Sequence, residues 1–230
     1  MFGLILVISA TLTLSNPAGV SLEHYSVLNF EQMVVEEAPT RAKLVTTFMS
    51  PIELPQPFPV TGTTEYLSPT TEIQSDNPDI IAQAQALVSG AHTQFEAVTV
   101  VHNWVMGHIS YMSGFPSDAV TVYTVRVARC AGYSNLMAAL LRATGIPSRV
   151  VNGCLAPYNW YVGPGGGWHT WVEVLFPESG WMAYEPQQPM FDTFHLYGFS
   201  KCEQDNTSVI VEDYSLWHLG HHLYLPYYVQ

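Results

Sequence analysis

The sequence predicts an α+β protein, because strand-like and helix-like segments occupy separate stretches of the chain. Residues 22–75 contain the β-type runs HYSVLNF, RAKLVTTFM and TTEYL, separated by proline-rich breaks. Three helical patterns follow from residue 76, and further β segments begin after residue 147. This order, with no internal repeat, indicates a β-rich N-terminal segment joined to a mixed domain.

Size and charge limit the classes of function. The 230 residues, 48% of them hydrophobic, are enough for one sizeable domain or for a small domain with an added subdomain. Lys and Arg number 7 against 19 Asp and Glu, which gives a formal net charge of -12, and no basic run occurs. We therefore expect no nucleic acid partner.

The N-terminal stretch, residues 1–21, is MFGLILVISATLTLSNPAGVS. Its apolar run is too short to span a bilayer, and nothing later in the sequence resembles a transmembrane segment, so we expect no stable membrane insertion. The small-x-small residues Gly19-Val20-Ser21 fit a cleaved export signal, and the alternative is a buried first strand. The apolar start slightly favours a secreted or periplasmic protein.

Helix signals justify the three helices in turn. The first has Asp76 or Asn77 as its N-cap, Pro78 in its first turn and Gly90 past its end. In HTQFEAVTVVHNWVMGHISY, three- and four-residue spacing predicts a second helix that buries Phe95, Val98, Val101, Trp104 and Val105. The third runs from about Cys130 to Thr144, with an apolar stripe of Leu136, Leu140 and Leu141 and with Gly145 as the stop signal.

Strands surround the third helix. Before it, the β-type residues Val122, Tyr123, Val125 and Val127 predict extended chain. After it, SRVVNG, WHTWVEVLF and GWMAYEP read as consecutive strands, with the glycine-rich YVGPGGG before the second of them.

The chain has three cysteines, Cys130, Cys154 and Cys202. In an oxidising compartment Cys154 and Cys202 are the plausible pair, because both lie in loop-like sequence and neither begins a helix. In a cytoplasmic protein, three reduced and buried cysteines are the alternative. No CxxC pair supports a zinc site, and we expect no metal or cofactor. A metal enzyme built on the C-terminal histidines His218, His221 and His222 is a weaker alternative, because no carboxylate or cysteine pattern accompanies them.

Cys130 is the candidate nucleophile. In the first turn of a helix, unpaired N–H groups and the positive end of the dipole favour a thiolate. A base and an orienting group are also needed. His169 in GWHTWVEV and Glu185 at the end of GWMAYEP meet this need if their strands are adjacent. The alternatives are that Cys130 is a packing cysteine and that His169 is a core histidine. For the acid, the alternatives are Asp192, Glu173 or no residue at all.

Two aromatic residues are candidates for a supporting role. Trp104 and Tyr111 carry hydrogen-bond donors that could help the Cys130 backbone N–H to stabilise an oxyanion. Aromatic residues of this kind more often belong to the core or its rim, which is the alternative for both.

The segments CAGYSNLMAALLRATGIPSRVVNG, WHTWVEV and GWMAYEP together resemble the transglutaminase-like branch of the papain-type cysteine enzymes. The resemblance covers about residues 95–190. It implies a papain-like α+β core in which helices pack on an antiparallel sheet, a catalytic domain over 76–230 and a Cys130–His169–acid triad. The chain departs from the family in two places: the usual Asp is replaced by Glu185, and the Gly before the cysteine by Arg129.

The resemblance also implies an activity, namely acyl transfer at amide bonds. We expect a protease or amidase that acts on peptide or protein substrates, because transglutaminase-like domains outside the long multidomain context resemble hydrolases more often than crosslinkers. The flexible loop APYNWYVGPGGGW suggests an open entrance for such a substrate. The alternatives are a transglutaminase that crosslinks proteins at glutamine, and a binding or scaffold module that has lost catalysis.

Overall fold

The computed structural model describes residues 7–15, 24–38, 41–49, 51–61, 64–155, 167–188 and 210–218. The chain divides into two compact units, one of Met1–Ser50, Asn152–His169 and Phe194–Gln230, the other of Pro51–Val151 and Thr170–Thr193. The domain limits expected from the sequence, 1–21, 22–75 and 76–230, stay predictions. Within the described ranges, no helix has the length and apolar character needed to cross a membrane.

In the described part of the chain, four strands precede the first helix, two short strands lie between the later helices, and four strands follow the last helix. The helices are α1 (Pro78–Val88), α2 (Gln94–His108), α3 (Ala119–Val125) and α4 (Cys130–Ala143). The strands are β1 (Val7–Ser15), β2 (Tyr25–Val27), β3 (Phe30–Ala38), β4 (Arg41–Met49), β5 (Ser110–Tyr111), β6 (Val127–Ala128), β7 (Ser148–Leu155), β8 (Gly167–Phe176), β9 (Gly180–Tyr184) and β10 (Ile210–His218).

The first unit contains an antiparallel sheet in the order β10-β1-β4-β3-β2. The strand predicted in RAKLVTTFM is confirmed as β4. The segment HYSVLNF is strand only in part, because a turn separates β2 from Phe30, the first residue of β3. Residues 7–15 form β1, and whether the first 21 residues are cleaved stays a prediction.

The strand predicted in TTEYL is wrong, because Glu65–Leu67 forms a 3₁₀ turn. The side chain of Thr64 accepts a hydrogen bond from the backbone N–H of Tyr66, 3.2 Å away, and its carbonyl accepts from the N–H of Leu67 at 3.1 Å. These local bonds satisfy backbone groups that a strand would have paired with a neighbour.

The second unit carries the helices. Asn77 caps α1, because its side chain accepts from the N–H groups of Asp79 and Ile80, and Pro78 is the first helical residue as predicted. In α2 the predicted apolar face is buried, except that Trp104 is only half-buried.

Helix α4 has the predicted start and end. Its apolar stripe is fully buried, and Gly145 follows it with a φ of 82°. Near its end, Arg142 donates from Nε and Nη2 to the carbonyl of Ser148, over 3.0 and 2.8 Å. The arginine thereby ties the last turn of α4 to the first residue of β7, which explains why LLRATGIPSRVV runs from helix directly into strand.

The extended chain predicted at Val122, Tyr123 and Val125 is wrong, because these residues lie in α3. The side chain of Asp118 accepts from the N–H of Thr121 over 3.0 Å and caps the helix, and Val122 is fully buried. A cap together with burial outweighs the preference of β-branched residues for strands. Only Val127, in β6, is extended as expected.

The second sheet has the order β7-β8-β9, and β8 pairs with β9 in antiparallel register from Val172↔Tyr184 to Phe176↔Gly180. The three strands predicted after α4 are therefore confirmed.

Candidate active site

Cys130 is the first residue of α4 and is half-buried. Arg129 occupies the N-cap position with extended backbone, makes no capping side-chain bond, and no acidic residue lies in the first turn. The positive end of the α4 dipole at Cys130 is therefore not offset by a carboxylate or a capping oxygen from these residues.

Gly132 lets the start of α4 pack closely against its neighbours. A Cβ at this position would lie 2.7 Å from Cβ of Ala128 and 2.9 Å from Cγ2 of Val122. Real Cβ atoms do not approach this closely, so only glycine permits the packing. The position of Cys130 is thus set by close contact of α4 with β6 and α3.

Tyr111 lies beside the start of α4. It pairs with Ala128 in the parallel β5–β6 ladder, and the next residue, Met112, donates its N–H to the carbonyl of Ala128 over 2.9 Å. Partial burial raises the pKa of Tyr111, the neighbouring Cys130 raises it further, and Arg129 acts in the opposite direction. A tyrosine is protonated at neutral pH, and the raised pKa favours that state further, so the hydroxyl can donate a hydrogen bond close to Cys130.

Trp104 belongs to a different cluster on α2 and α3. The guanidinium of Arg126 lies 4.6 Å from the Trp104 ring centroid and 4.4 Å from that of Tyr123, while His108 stacks on Trp104 at 4.8 Å. These contacts are those of a cation–π cluster. The supporting role at an oxyanion stays a prediction for both Trp104 and Tyr111.

His169 lies in β8 and is 4% exposed. Ser134, one turn after Cys130 on the same face of α4, donates its hydroxyl to the backbone carbonyl of Thr170 over 3.0 Å. Helix α4 is therefore joined to β8 at the residue that follows His169.

Glu173, an alternative acid, is fully buried in an ion pair. Its Oε2 accepts from Nε and Nη2 of Arg149 over 2.8 and 2.7 Å, and its Oε1 lies 3.4 Å from the Trp171 indole nitrogen. Arg149 also lies over the ring of Trp181 at 4.1 Å. These contacts give Glu173 a structural role. Asp192, the other alternative, lies outside the described residues.

Glu185 follows β9 directly and is 1% exposed. Its Oε1 accepts from the backbone N–H of Gln187 over 3.0 Å, which fixes one carboxylate oxygen in a local turn. Position 185 thus carries a buried acid whose orientation the following backbone controls.

His102 was missed by the sequence reasoning. It is fully buried in α2, and its Nε2 lies 2.7 Å from the backbone carbonyl oxygen of Glu185. A carbonyl only accepts, so Nε2 carries the proton. Burial lowers the pKa of His102, although the bond to Glu185 acts in the opposite direction, and the ring is neutral at neutral pH. The sequence feature that could have found His102 is its position, because a polar residue here lies on the buried face of α2 between Val98 and Val105.

The remaining sequence candidates fall mostly outside the described residues. Cys202, His221, His222 and the side chain of Cys154 lie there, so the predicted disulfide stays a prediction. Cys130 is not disulfide-bonded. Among the residues that the structure describes, no group of three or more His, Cys, Asp or Glu side chains could hold a metal ion.

A family model matches the part of the chain that contains the candidate site residues. The model of the Transglutaminase-like superfamily matches residues 81–186, which include Cys130, His169 and Glu185. The match confirms the predicted resemblance to the transglutaminase-like superfamily over these residues. Members of this superfamily are cysteine proteases or transglutaminases.

Two curated relatives match a shorter segment. One is the Uncharacterized protein YebA of Bacillus subtilis, 35% identical over 74 residues. The other is a Protein-glutamine gamma-glutamyltransferase of Pseudomonas aeruginosa, 37% identical over 73 residues. Each match covers 28% of this chain and 10% of the relative, so the chain spans only about a tenth of the length of these proteins.

A solved structure confirms the fold class. It is a candidate cysteine protease from Cytophaga hutchinsonii, with a TM-score of 0.56 and 15% identity over 93% of this chain and 88% of the other. At this identity the likeness is one of fold, and the predicted transglutaminase-like α+β fold is confirmed.

Proposed function

We propose that the protein is a cysteine hydrolase that cleaves amide bonds in peptides or proteins through a Cys130–His169–Glu185 triad. The observation that carries this proposal is the position of Cys130 as the first residue of an uncapped helix. Such a position favours the thiolate, which is the reactive form of cysteine. The superfamily model matches residues 81–186, and this stretch contains His169 and Glu185 as well as Cys130.

Strand geometry supports the pairing of His169 with Glu185. Side chains alternate along a strand, so His169 and Glu173 share one face of β8. Glu173 pairs with Ala183, and Glu185 is two residues further along the chain. The same alternation, extended past the end of β9, puts Glu185 on the face of His169. A carboxylate beside the imidazole would hold one tautomer and stabilise the imidazolium.

The reaction follows from these roles. The Cys130 thiolate attacks the carbonyl carbon, and the carbonyl oxygen takes up the negative charge beside the Cys130 N–H and the Tyr111 hydroxyl. The imidazolium of His169 then gives its proton to the departing amine, and the C–N bond breaks to leave a thioester. His169 next takes a proton from water, which attacks the thioester and releases the acid with the thiolate restored.

The acceptor of the acyl group distinguishes two activities. Water gives a hydrolase, which agrees with the description of the structural neighbour from Cytophaga hutchinsonii as a cysteine protease. A primary amine gives a transglutaminase. The relative from Pseudomonas aeruginosa, which matches a segment of 73 residues, is named for this activity. We place hydrolysis first because the structural neighbour covers most of this chain, whereas the amine-transferring relative matches 28% of it.

The first experiment measures the reactivity of the thiol. Iodoacetamide labelling of the folded protein at neutral pH, followed by peptide mapping, should show Cys130 modified much faster than Cys154 or Cys202. Cys130→Ala should abolish fast labelling and also amide turnover. Turnover that is unchanged in Cys130→Ala would exclude the triad. Equal and slow labelling of all three cysteines, together with no amide turnover by the wild type, would favour a binding module.

The second experiment compares two buried carboxylates. Glu185→Gln should reduce turnover by about a hundredfold or more, by analogy with other triads. The matched control Glu173→Gln makes the same chemical change at the carboxylate paired with Arg149, and it should reduce stability rather than turnover. Full activity in Glu185→Gln with none in Cys130→Ala would indicate a Cys–His dyad or another acid.

The third experiment identifies the acceptor. The enzyme is incubated with a glutamine-containing protein and a fluorescent primary amine. Hydrolysis predicts cleaved peptide or free ammonia without incorporation of the amine. Incorporation that Cys130→Ala abolishes would instead assign the transglutaminase activity.

A further inference from the structure

The proposed triad makes no use of His102, although this residue contacts one of its members. The His102 ring is fully buried, and its Nε2–H donates to the backbone carbonyl of Glu185 over 2.7 Å. The two residues are 83 positions apart in the sequence, so the contact links α2 to the end of β9. A buried imidazole that bonds a backbone carbonyl fixes that backbone in space.

The backbone at Glu185 needs such a partner. The β8–β9 ladder ends at Tyr184, so the carbonyl of Glu185 lies beyond the last strand pair. In the turn that follows, the N–H of Gln188 is 3.4 Å from the same carbonyl. The short bond from His102 is the stronger of these two contacts, because a hydrogen bond weakens steeply with distance.

We propose that His102 is a positioning residue for the acid of the triad, because it holds the Glu185 backbone so that the side-chain carboxylate keeps one position. This inference rests on the proposed function. The bond from His102 then holds the carbonyl of Glu185, and the bond from the Gln187 N–H holds its Oε1. Glutamate has one more rotatable bond than aspartate, so its carboxylate depends more on a fixed backbone.

The test uses two substitutions of His102. In His102→Gln the side-chain amide replaces the Nε2–H donor at similar reach, whereas His102→Leu fills the space without a donor. We expect kcat to fall about tenfold to a hundredfold in His102→Leu, with KM changed less than about twofold, and to recover largely in His102→Gln. The control is Val98→Ala, which removes buried methyl groups one turn away on α2 and should leave kcat near the wild-type value.

A double-mutant cycle separates positioning from a merely structural role. If His102 acts through the Glu185 carboxylate, His102→Leu should cost no more than about twofold once Glu185→Gln has removed that carboxylate. Independent, multiplying losses would overturn the proposal. So would equal kcat losses in His102→Leu, His102→Gln and Val98→Ala, because those losses would follow packing and not the donor.

One readout does not depend on catalysis, so the inference and the proposed function can fail separately. In the wild-type protein, ¹⁵N NMR should show a neutral His102 ring with its proton on Nε2. Hydrogen exchange of the Gln187 amide should accelerate in His102→Leu and not in His102→Gln, because that amide is bonded to the Glu185 carboxylate. A proton on Nδ1, or unchanged Gln187 exchange in His102→Leu, would overturn the positioning role whether or not the protein is an enzyme. If His102→Leu does not fold, the tautomer of His102 in the wild type and the activity of His102→Gln decide whether His102 positions Glu185.

Discussion

Gly132 provides a quantitative test of how α4 is placed, because the chain offers a matched glycine in another helix. Gly132 lies in the first turn of α4, and a Cβ there would meet Ala128 at 2.7 Å and Val122 at 2.9 Å. Gly107 lies in α2, and a Cβ there would meet nothing within 4 Å. Substitution by alanine has the same effect on helix propensity at both sites, so the surrounding space decides the difference.

The magnitudes follow from two opposing effects. Replacing a helical glycine by alanine is worth about 1 kcal/mol of stability when the site is open. At Gly132 the new methyl group would be about 1 Å closer to Ala128 than the ordinary carbon separation of about 3.5–4.0 Å. Overpacking of this kind costs about 1–3 kcal/mol. We therefore expect Gly107→Ala to stabilise by about 0.5–1 kcal/mol and Gly132→Ala to destabilise by up to about 2 kcal/mol.

Urea denaturation of the two variants beside the wild type measures these changes in the free energy of unfolding. The double variant Ala128→Gly/Gly132→Ala removes the atom at 2.7 Å and should recover part of the loss, while the contact with Val122 remains. Iodoacetamide labelling of Cys130 should also change in Gly132→Ala, since the helix start must move to relieve the overlap. Equal stabilisation by Gly132→Ala and Gly107→Ala would refute the close packing at this position.

Three further predictions concern other residues. Tyr111→Phe should lower kcat by about a hundredfold if its hydroxyl stabilises the oxyanion, with labelling of Cys130 retained; an unchanged kcat would remove Tyr111 from that role. Arg149→Met leaves the buried Glu173 carboxylate without its partner and should lower the free energy of unfolding by about 3 kcal/mol, and a loss below about 1 kcal/mol would contradict a structural ion pair. Because the fold lowers the pKa of His102, the unfolded chain binds its proton at about pH 6.5 while the folded protein still excludes it. The stability that the neutral His102 contributes is therefore present above pH 6.5 and is lost as the pH falls below that value, at no more than about 1.4 kcal/mol per pH unit. The free energy of unfolding of His102→Gln, measured by urea denaturation, should lack this dependence on pH.

The elements that the sequence predicted correctly are those with local signals. Helix α1 has its cap and first-turn proline in sequence, and α4 has a continuous apolar stripe followed by Gly145. The prediction for the stretch before Cys130 was wrong because its β-branched residues suggested a strand. The cap of Asp118 and the burial of Val122 place this stretch in a helix. Burial of this kind depends on distant parts of the chain and has no local signature.

The candidate site shows the same division. The position of Cys130 at the start of an apolar helix was predictable from the sequence. The catalytic roles of Cys130, His169 and Glu185, to which the HxW and Gly-Trp motifs pointed, stay predictions. The bond from His102 to Glu185 was not predictable, because it joins segments 83 positions apart through a backbone carbonyl, which leaves no trace in residue type. A polar residue on a buried helix face implies a hydrogen-bond partner, but the sequence does not identify that partner.

The way the helices begin separates α4 from the other helices in the described part of the chain. Asn77, Thr93 and Asp118 cap α1, α2 and α3 with side-chain oxygens, whereas α4 begins after Arg129 without a side-chain cap. A capping side chain is worth about 1 kcal/mol, so its absence gives up stability at this one position. A capping oxygen would accept from the N–H groups of the first turn and bring negative partial charge to the positive end of the helix. At Cys130 this negative charge would disfavour the thiolate. The proposed chemistry therefore explains why α4 begins without the capping side chain that stability alone would favour.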